Sequence, residues 1–554
     1  MIKTRSQPLV ARNIVSPQNR RIAHLFEWRL VGVAILAMLA LTSLPYIYAY
    51  MSAPVDRHYI GLMMGVPDHL QYFSWMRDLS KHALASNRLT SEPNAPAFFN
   101  LLWWSAGRLG ALTGLDYPAL FQIMRVFAIA LCLSSAYAFF QTVIADHRQR
   151  RLAFLIFAFG GGLGVLWVVL KYIQRLADVP FPDDIYTAEA NTFFIALAFP
   201  HFTMATGLLS ATFTFMLVAL RQQRLIYALG AGGVAMVLGL QHTYDLIIVY
   251  VVLAVFGLLL WVRDRHFPRF YMLCVMCVGV LSGPPSAYMF LLVKTNPVWG
   301  AVLAQFGNAG VFTPSLPHIM LLMGLPLWLA LTKIRPALFS SQNDAEMFVA
   351  VWFICYFGLI YIPTDFQIHM LLGWQIPTAV LASKALYRLM DLWRSFSTRI
   401  PARAMLSLAL LLMVLTNIYI LGWRFVELRR HTEPYYMSQD QRKALDWLEA
   451  NTTSDDIVFA PLAFGQFVPM WSDARAFLAH WANTLDFYGK VERVEKVFNP
   501  ATNQADREAI LHSSDVDYVV VTSAEPVPWA VEPEYQAVFH QGDITIYRLD
   551  LLPK

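Results

Sequence analysis

The stretch Ala97-Phe-Phe-Asn-Leu-Leu-Trp-Trp-Ser-Ala-Gly-Arg-Leu-Gly-Ala-Leu-Thr-Gly114 decides how this chain is threaded. It is apolar enough for a short membrane span. Yet it carries Arg108 near its middle and the pair Trp103-Trp104, residue types that favour the membrane–water interface. Eleven other stretches read as transmembrane helices: 30–51, 117–143, 152–173, 192–219, 225–241, 246–262, 270–293, 317–332, 347–362, 367–387 and 404–424. Each approaches the roughly 20 residues a bilayer requires. If 97–114 crossed too, every later loop would change sides. If it lies flat, the chain starts inside and six cationic clusters share one face. They are the N-terminal tail, Arg148/Arg150/Arg151, Arg221/Arg224, Arg263/Arg265/Arg269, Lys333/Arg335, and the set Lys384, Arg388, Arg394, Arg399 and Arg403. Lys and Arg concentrate in cytoplasmic loops, so the flat reading is expected.

Composition agrees with a polytopic α-helical membrane protein. Of 554 residues, 57% are hydrophobic and 14% charged, against about a quarter charged in soluble chains. The net charge of +5 reads as loop asymmetry, not as a nucleic-acid footprint. Cys132, Cys274, Cys277 and Cys355 all sit in apolar segments, and Cys274-x-x-Cys277 has no second pair, so no disulfide framework is implied. Arg20, Arg21 and Arg29 precede the first span without a cleavage-site pattern, which predicts an uncleaved helix behind a cytoplasmic tail, 1–29. The expected threading gives a membrane domain, 30–424, with a long first outer loop, 52–116, in a cell inner (plasma) membrane. The tail 425–554 then lies on the extracytoplasmic side. Its helical pattern at 439–450 alternates with strand-like runs at 457–460, 517–522 and 544–549, which predicts a small α/β domain able to fold alone.

The first outer loop holds Asp56, then Pro67-Asp68-His69-Leu70-Gln71-Tyr72, then Asp78. A helix starting after Pro67 places Asp68, Tyr72 and Trp75 on one face. A carboxylate there can act as a general base on an alcohol, or it can cap the helix. Ionisable groups at membrane depth are costly and face cavities or partners. Here Arg125, His201, His242, Asp245, Lys294, Asp365 and His369 gather toward the outer ends of their spans. The pattern predicts a polar, partly cationic cavity opening outward, suited to a phosphate. In the second outer loop, Asp183, Asp184 and Glu189 offer carboxylates for a divalent cation, though adjacent acids in a loop are more often solvated. No P-loop, dinucleotide fingerprint, H-E-x-x-H or G-x-S-x-G occurs, so nothing points to a soluble nucleotide donor.

Asp68-His69-Leu70-Gln71-Tyr72, Phe99-Asn100-Leu101-Leu102-Trp103-Trp104, Pro200-His201-Phe202 and His242-Thr243-Tyr244-Asp245, in that order, resemble the GT-C superfamily of integral membrane glycosyltransferases. The resemblance covers about the first 430 residues. The tail, with Trp447-Leu448-Glu449-Ala450-Asn451, is similar to outer domains appended to bacterial members. The resemblance implies an inverting transfer from a polyprenyl-phosphate sugar to a glycan, lipid or protein acceptor, with membrane lipids as surroundings and no nucleic acid. It implies Asp68 as the catalytic base, with Asp56 and Asp78 as alternates. It implies substrate contacts from His69, Tyr72, Arg125, His201, His242, Asp245, Lys294 and His369. It implies no cofactor, save that the oligosaccharyltransferase branch uses a divalent cation held by loop acids, a pattern Asp183 and Asp184 fit loosely. The chain departs from the family in having no duplicated acid directly after the first span. The rival readings are a transporter or flippase for lipid-linked sugars, marked by inverted repeats that are not found here, and a non-catalytic scaffold.

Overall fold

The eleven apolar stretches are helical over most of their length in the computed structural model, which describes residues 17–176, 187–309, 312–339, 343–396, 401–522 and 535–549. Six helices are long and apolar enough to cross a membrane: Glu27–Ser52, Tyr117–Val143, Pro200–Gln222, Asp245–Asp264, Arg269–Thr295 and Ala402–Leu428. A seventh arises if His147–Phe159 and Gly164–Ile173, bent by 47° at their junction, form one span. The remaining expected spans are shorter or interrupted, as at Leu225–Gln241 and Leu316–Leu331.

The interruptions have a physical cause. At Gly324 the backbone takes φ 60° and ψ −150°, a region essentially reserved for glycine. A Cβ there would lie 2.8 Å from Gly162 Cα. The unwound chain around Gly160–Leu163 is therefore pressed against the break in Leu316–Leu331. Its amides find partners outside their own helices, Gly161 N–H on Met413 O at 2.7 Å and Leu163 N–H on Leu321 O at 3.0 Å. Broken helices persist at membrane depth only when the freed backbone groups are satisfied in this way.

The ambiguous stretch forms a helix, Leu101–Thr113, whose first turn is capped by the Asn100 side chain accepting from Leu102 N and Trp103 N. At roughly 20 Å it is too short to cross a bilayer. It packs on the helix Val66–Lys81, and a Cβ at Gly107 would be 2.3 Å from Met76 O, so glycine sets how closely the two approach.

The tail is an α/β unit, as its pattern predicts. Strands β1 (Arg57–Tyr59) and β2 (Tyr436–Ser438) pair antiparallel. A mixed sheet then runs β4-β3-β5-β7-β6, with β3 Ile457–Phe459, β4 Arg475–Ala476, β5 Tyr518–Val521, β6 Tyr535–Gln541 and β7 Ile544–Leu549. Alternation along the strands buries both faces. Ile457, Phe459, Val519 and Val521 meet Val494, Val497 and Leu511 in the tail's own core. Val458, Val520, Ile544 and Ile546 face the other way and join a core shared with Leu70, Met76 and Leu89 of the first loop. The sequence reading expects a self-contained domain. In the structure the tail also bonds to loop 52–116: Ala476 N–H donates to Arg88 O at 3.0 Å, and the buried Lys490 donates to Glu92 and Ser91, each at 2.8 Å.

Candidate active site

Gly65, in the left-handed conformation, opens the helix Val66–Lys81, and no side chain caps it. Asp68 in its first turn turns instead toward the tail. Its Oδ1 accepts from His480 Nε2 and from Trp481 Nε1, both at 3.2 Å. The side chain remains 37% exposed. Burial works to raise the Asp68 carboxyl, but the His480 hydrogen bond, the neighbouring His69 and the Trp481 N–H outweigh it and hold it below the usual carboxylate range.

One turn on, Tyr72 stacks on Trp103, with ring centroids 4.5 Å apart, and meets His201 edge-on at 4.9 Å. Because residues four apart share a helix face, Tyr72 joins Asp68 to a group of imidazoles. His201 lies 6.3 Å from His69 and 5.8 Å from His242, centroid to centroid. His369 reaches the group through Phe202 at 5.7 Å and Tyr244 at 5.4 Å.

Hydrogen bonds fix what most of these rings offer. His69 Nδ1 must donate to Gly65 O at 2.7 Å, since a carbonyl only accepts. Burial pushes the His69 imidazole below its ordinary range, so Nε2 carries a lone pair, and that atom has no partner. His242 Nδ1 meets Asp245 Oδ2 at 2.6 Å and its Nε2 meets the Tyr244 hydroxyl at 2.6 Å, a carboxylate–imidazole–phenol chain. His369 Nδ1 is 2.5 Å from Oε1 of Glu189, which is buried at the second outer loop. His201 is 4% exposed, and both its ring nitrogens are unpartnered, as is Asp245 Oδ1. A buried polar atom left unpaired costs about 1–3 kcal/mol. Several of them converging beside a half-open carboxylate mark a place built to receive a polar ligand.

Other expected site residues lie apart. Asp78 is buried and fully engaged, accepting from Ser86 N at 2.8 Å, Ser86 Oγ at 2.9 Å and Arg88 Nε and NH2 at 3.0 and 2.9 Å. Asp56 is exposed and faces Arg57 at 3.7 Å. Lys294 is exposed in the last turn of its helix. Arg125 was expected to line the cavity. Its guanidinium instead donates to Thr42 Oγ1 and Ser43 Oγ at 2.9 Å, to Gln122 Oε1 at 2.9 Å, and to the carbonyls of Ala196 and Leu197 at 3.2 and 3.4 Å. These bonds tie three helices together. Asp183 and Asp184 lie outside the described residues. Among the described residues, no group of three or more His, Cys, Asp or Glu is placed to hold a metal ion.

The fold recurs in solved structures. The oligosaccharyltransferase of Archaeoglobus fulgidus in its apo form superposes with a TM-score of 0.52 at 15% identity, covering 88% of this chain and 69% of its own. ArnT from Cupriavidus metallidurans, bound to undecaprenyl phosphate, superposes with a TM-score of 0.51 at 14% identity, covering 93% of this chain and 97% of its own.

This is the GT-C fold.

No family model matches the chain, and no curated protein matches it in sequence. At these identities the likeness is one of fold. Within this fold the imidazoles of His69, His201, His242 and His369 come from four separate segments. His480 and Trp481 are partners of Asp68 that the sequence reading missed. The only signal was the adjacent pair His480-Trp481 in a tail read as a separate unit, 412 residues beyond Asp68.

Proposed function

We propose that this chain is an inverting glycosyltransferase that moves a sugar from a polyprenyl-phosphate donor to an acceptor hydroxyl at the extracytoplasmic face of a plasma membrane. The observation that carries the reading is the half-exposed Asp68 carboxylate beside buried imidazoles with unpartnered nitrogens. The acceptor oxygen attacks the anomeric carbon from the side opposite the phosphate. Its proton passes to Asp68, and the phosphate leaves with the bonding electron pair. N–H groups of His201 and His369 face the developing phosphate charge, where stabilisation lowers the barrier most. The lone pair on His69 Nε2 accepts from a sugar hydroxyl, and Asp245 fixes the His242 ring. Tyr72 and Trp103 offer aromatic faces to the sugar. ArnT's complex with undecaprenyl phosphate and the archaeal enzyme's tether to an acceptor peptide support a lipid carrier and a separate acceptor by analogy of fold. The cationic loops support the outward orientation.

The test is transfer from radiolabelled polyprenyl-phosphate sugars in membranes. Asp68→Asn keeps the shape but cannot take a proton, so transfer should fall about 10²–10⁴-fold with expression unchanged. Near-full activity in Asp68→Asn would defeat the reading. Movement of lipid-linked sugar between leaflets without transfer would favour a transporter.

The reading uses no cofactor. Transfer is therefore expected to survive EDTA. Loss on chelation with recovery on adding Mn²⁺ would instead align the chain with the metal-using oligosaccharyltransferase branch.

A further inference from the structure

The tail segment carrying His480 and Trp481 is pinned from two neighbouring regions. Within it, Thr484 Oγ1 accepts from the amides of Ala479 and His480, both at 3.0 Å. From the first loop, Leu89 O accepts the Thr484 hydroxyl at 2.6 Å, and Asn87 Nδ2 donates to Asn483 O at 2.8 Å. From the loop after Arg269–Thr295, Gln305 Nε2 donates to the carbonyls of Ala482 and Thr484, and Asn308 Nδ2 to Trp481 O, all at 3.0 Å. Such a segment is preorganised and cannot swing freely.

Its bonding also decides where the His480 proton sits. Nδ1 accepts from the amides of Ala482 at 3.1 Å and Asn483 at 3.3 Å, and from Asn483 Nδ2 at 3.3 Å. A nitrogen that accepts hydrogen bonds carries no proton, so the proton is on Nε2, the atom facing Asp68. The Trp481 indole can only donate. Both donors fall on Oδ1 of Asp68, and Oδ2 accepts neither.

We propose that His480 and Trp481 are positioning residues that hold Asp68 through Oδ1 and present Oδ2 to the acceptor hydroxyl, so that the tail is a wall of the active site and the acceptor enters beside it. This rests on the reading of Asp68 as the base. A carboxylate has two oxygens and a freely turning plane. Two fixed donors on one oxygen set that plane and leave the other oxygen for proton transfer, which requires alignment within a hydrogen-bond distance. The same donors favour the ionised form, so removing one while the surroundings stay buried raises the pH below which the base is lost.

The experiment uses the full chain in membranes and measures kcat, donor KM and the acid limb of the pH profile. His480→Ala should lower kcat about 10- to 100-fold, leave donor KM unchanged and move the acid limb to higher pH. His480→Gln, which restores an N–H near the same place, should recover part of both. Trp481→Phe keeps the ring, loses the donor, and should shift the limb in the same direction without loss of folded protein. A merely structural contact would lower the amount of folded enzyme and leave the limb in place. If the wild type transfers and Asp68→Asn does not, yet His480→Ala and Trp481→Phe keep the wild-type kcat and limb, the positioning role is overturned alone. If the wild type transfers from no donor, the reading of Asp68 fails and the positioning role falls with it.

Discussion

At Arg125 a guanidinium that is 1% exposed has no ion-pair partner among the described residues. Its N–H groups go to hydroxyls, an amide and the last carbonyls of the helix Thr192–Ala198, with the Tyr46 ring 4.6 Å from the guanidinium carbon. A cation at a helix C-terminus is favoured by the helix dipole, and truncating it strands buried acceptors. Arg125→Ala should therefore cost about 2–4 kcal/mol of stability, seen as a lower Tm in detergent, while the enzyme that stays folded keeps its donor KM. A raised KM with unchanged Tm would return Arg125 to the substrate. Residue by residue, the sequence exposed what was out of place: His201, His242 and His369 are polar groups in apolar runs, and Asp68 is an acid in a helix start. It did not expose partners. Depth in a span does not say whether an arginine serves a ligand or a carbonyl. An acid's neighbour 412 positions away leaves no local pattern at either end.

Among the elements, the break where Gly324 meets Gly162 separates what hydropathy can read from what it cannot. The average apolarity of 317–332 predicts a helix and is silent about a single residue at positive φ. Length gave a further limit, since stretches expected as full spans are shorter or bent helices. Gly324→Ala adds a Cβ 2.8 Å from a neighbouring backbone carbon and forces an L-residue into a glycine-only region. The strain alone amounts to about 1–3 kcal/mol. We expect a fall in Tm of detergent-solubilised protein. An unchanged Tm would show that the two helices separate without cost.

For the whole molecule, hydrogen bonds and an ion pair join the tail to the first loop. The alternation of helices and strands made the tail's α/β character legible, because period-2 burial is a local property. It could not reveal the bonds to the loop: Lys490 and the amide of Ala476 carry no local sign that Glu92 and Arg88 are their partners. Residues 433–554 expressed alone would leave Lys490 without Glu92 and the Ala476 amide without the Arg88 carbonyl. The isolated tail is expected to unfold with a broad, weakly cooperative thermal transition by circular dichroism, sharpened when residues 53–100 are supplied in the same polypeptide. A sharp transition from the tail alone would show that its own core suffices.

The joint between tail and first loop also sets an order of events during biosynthesis. Asp68 emerges early and His480 comes 412 residues later, after the last membrane helix, Ala402–Leu428, has been made. A chain still attached to the ribosome can have its whole bundle inserted and still lack the donors that aim its carboxylate. On the function proposed above, a half-made copy is an inert bundle, and competence arrives only when the final segment closes onto the first loop.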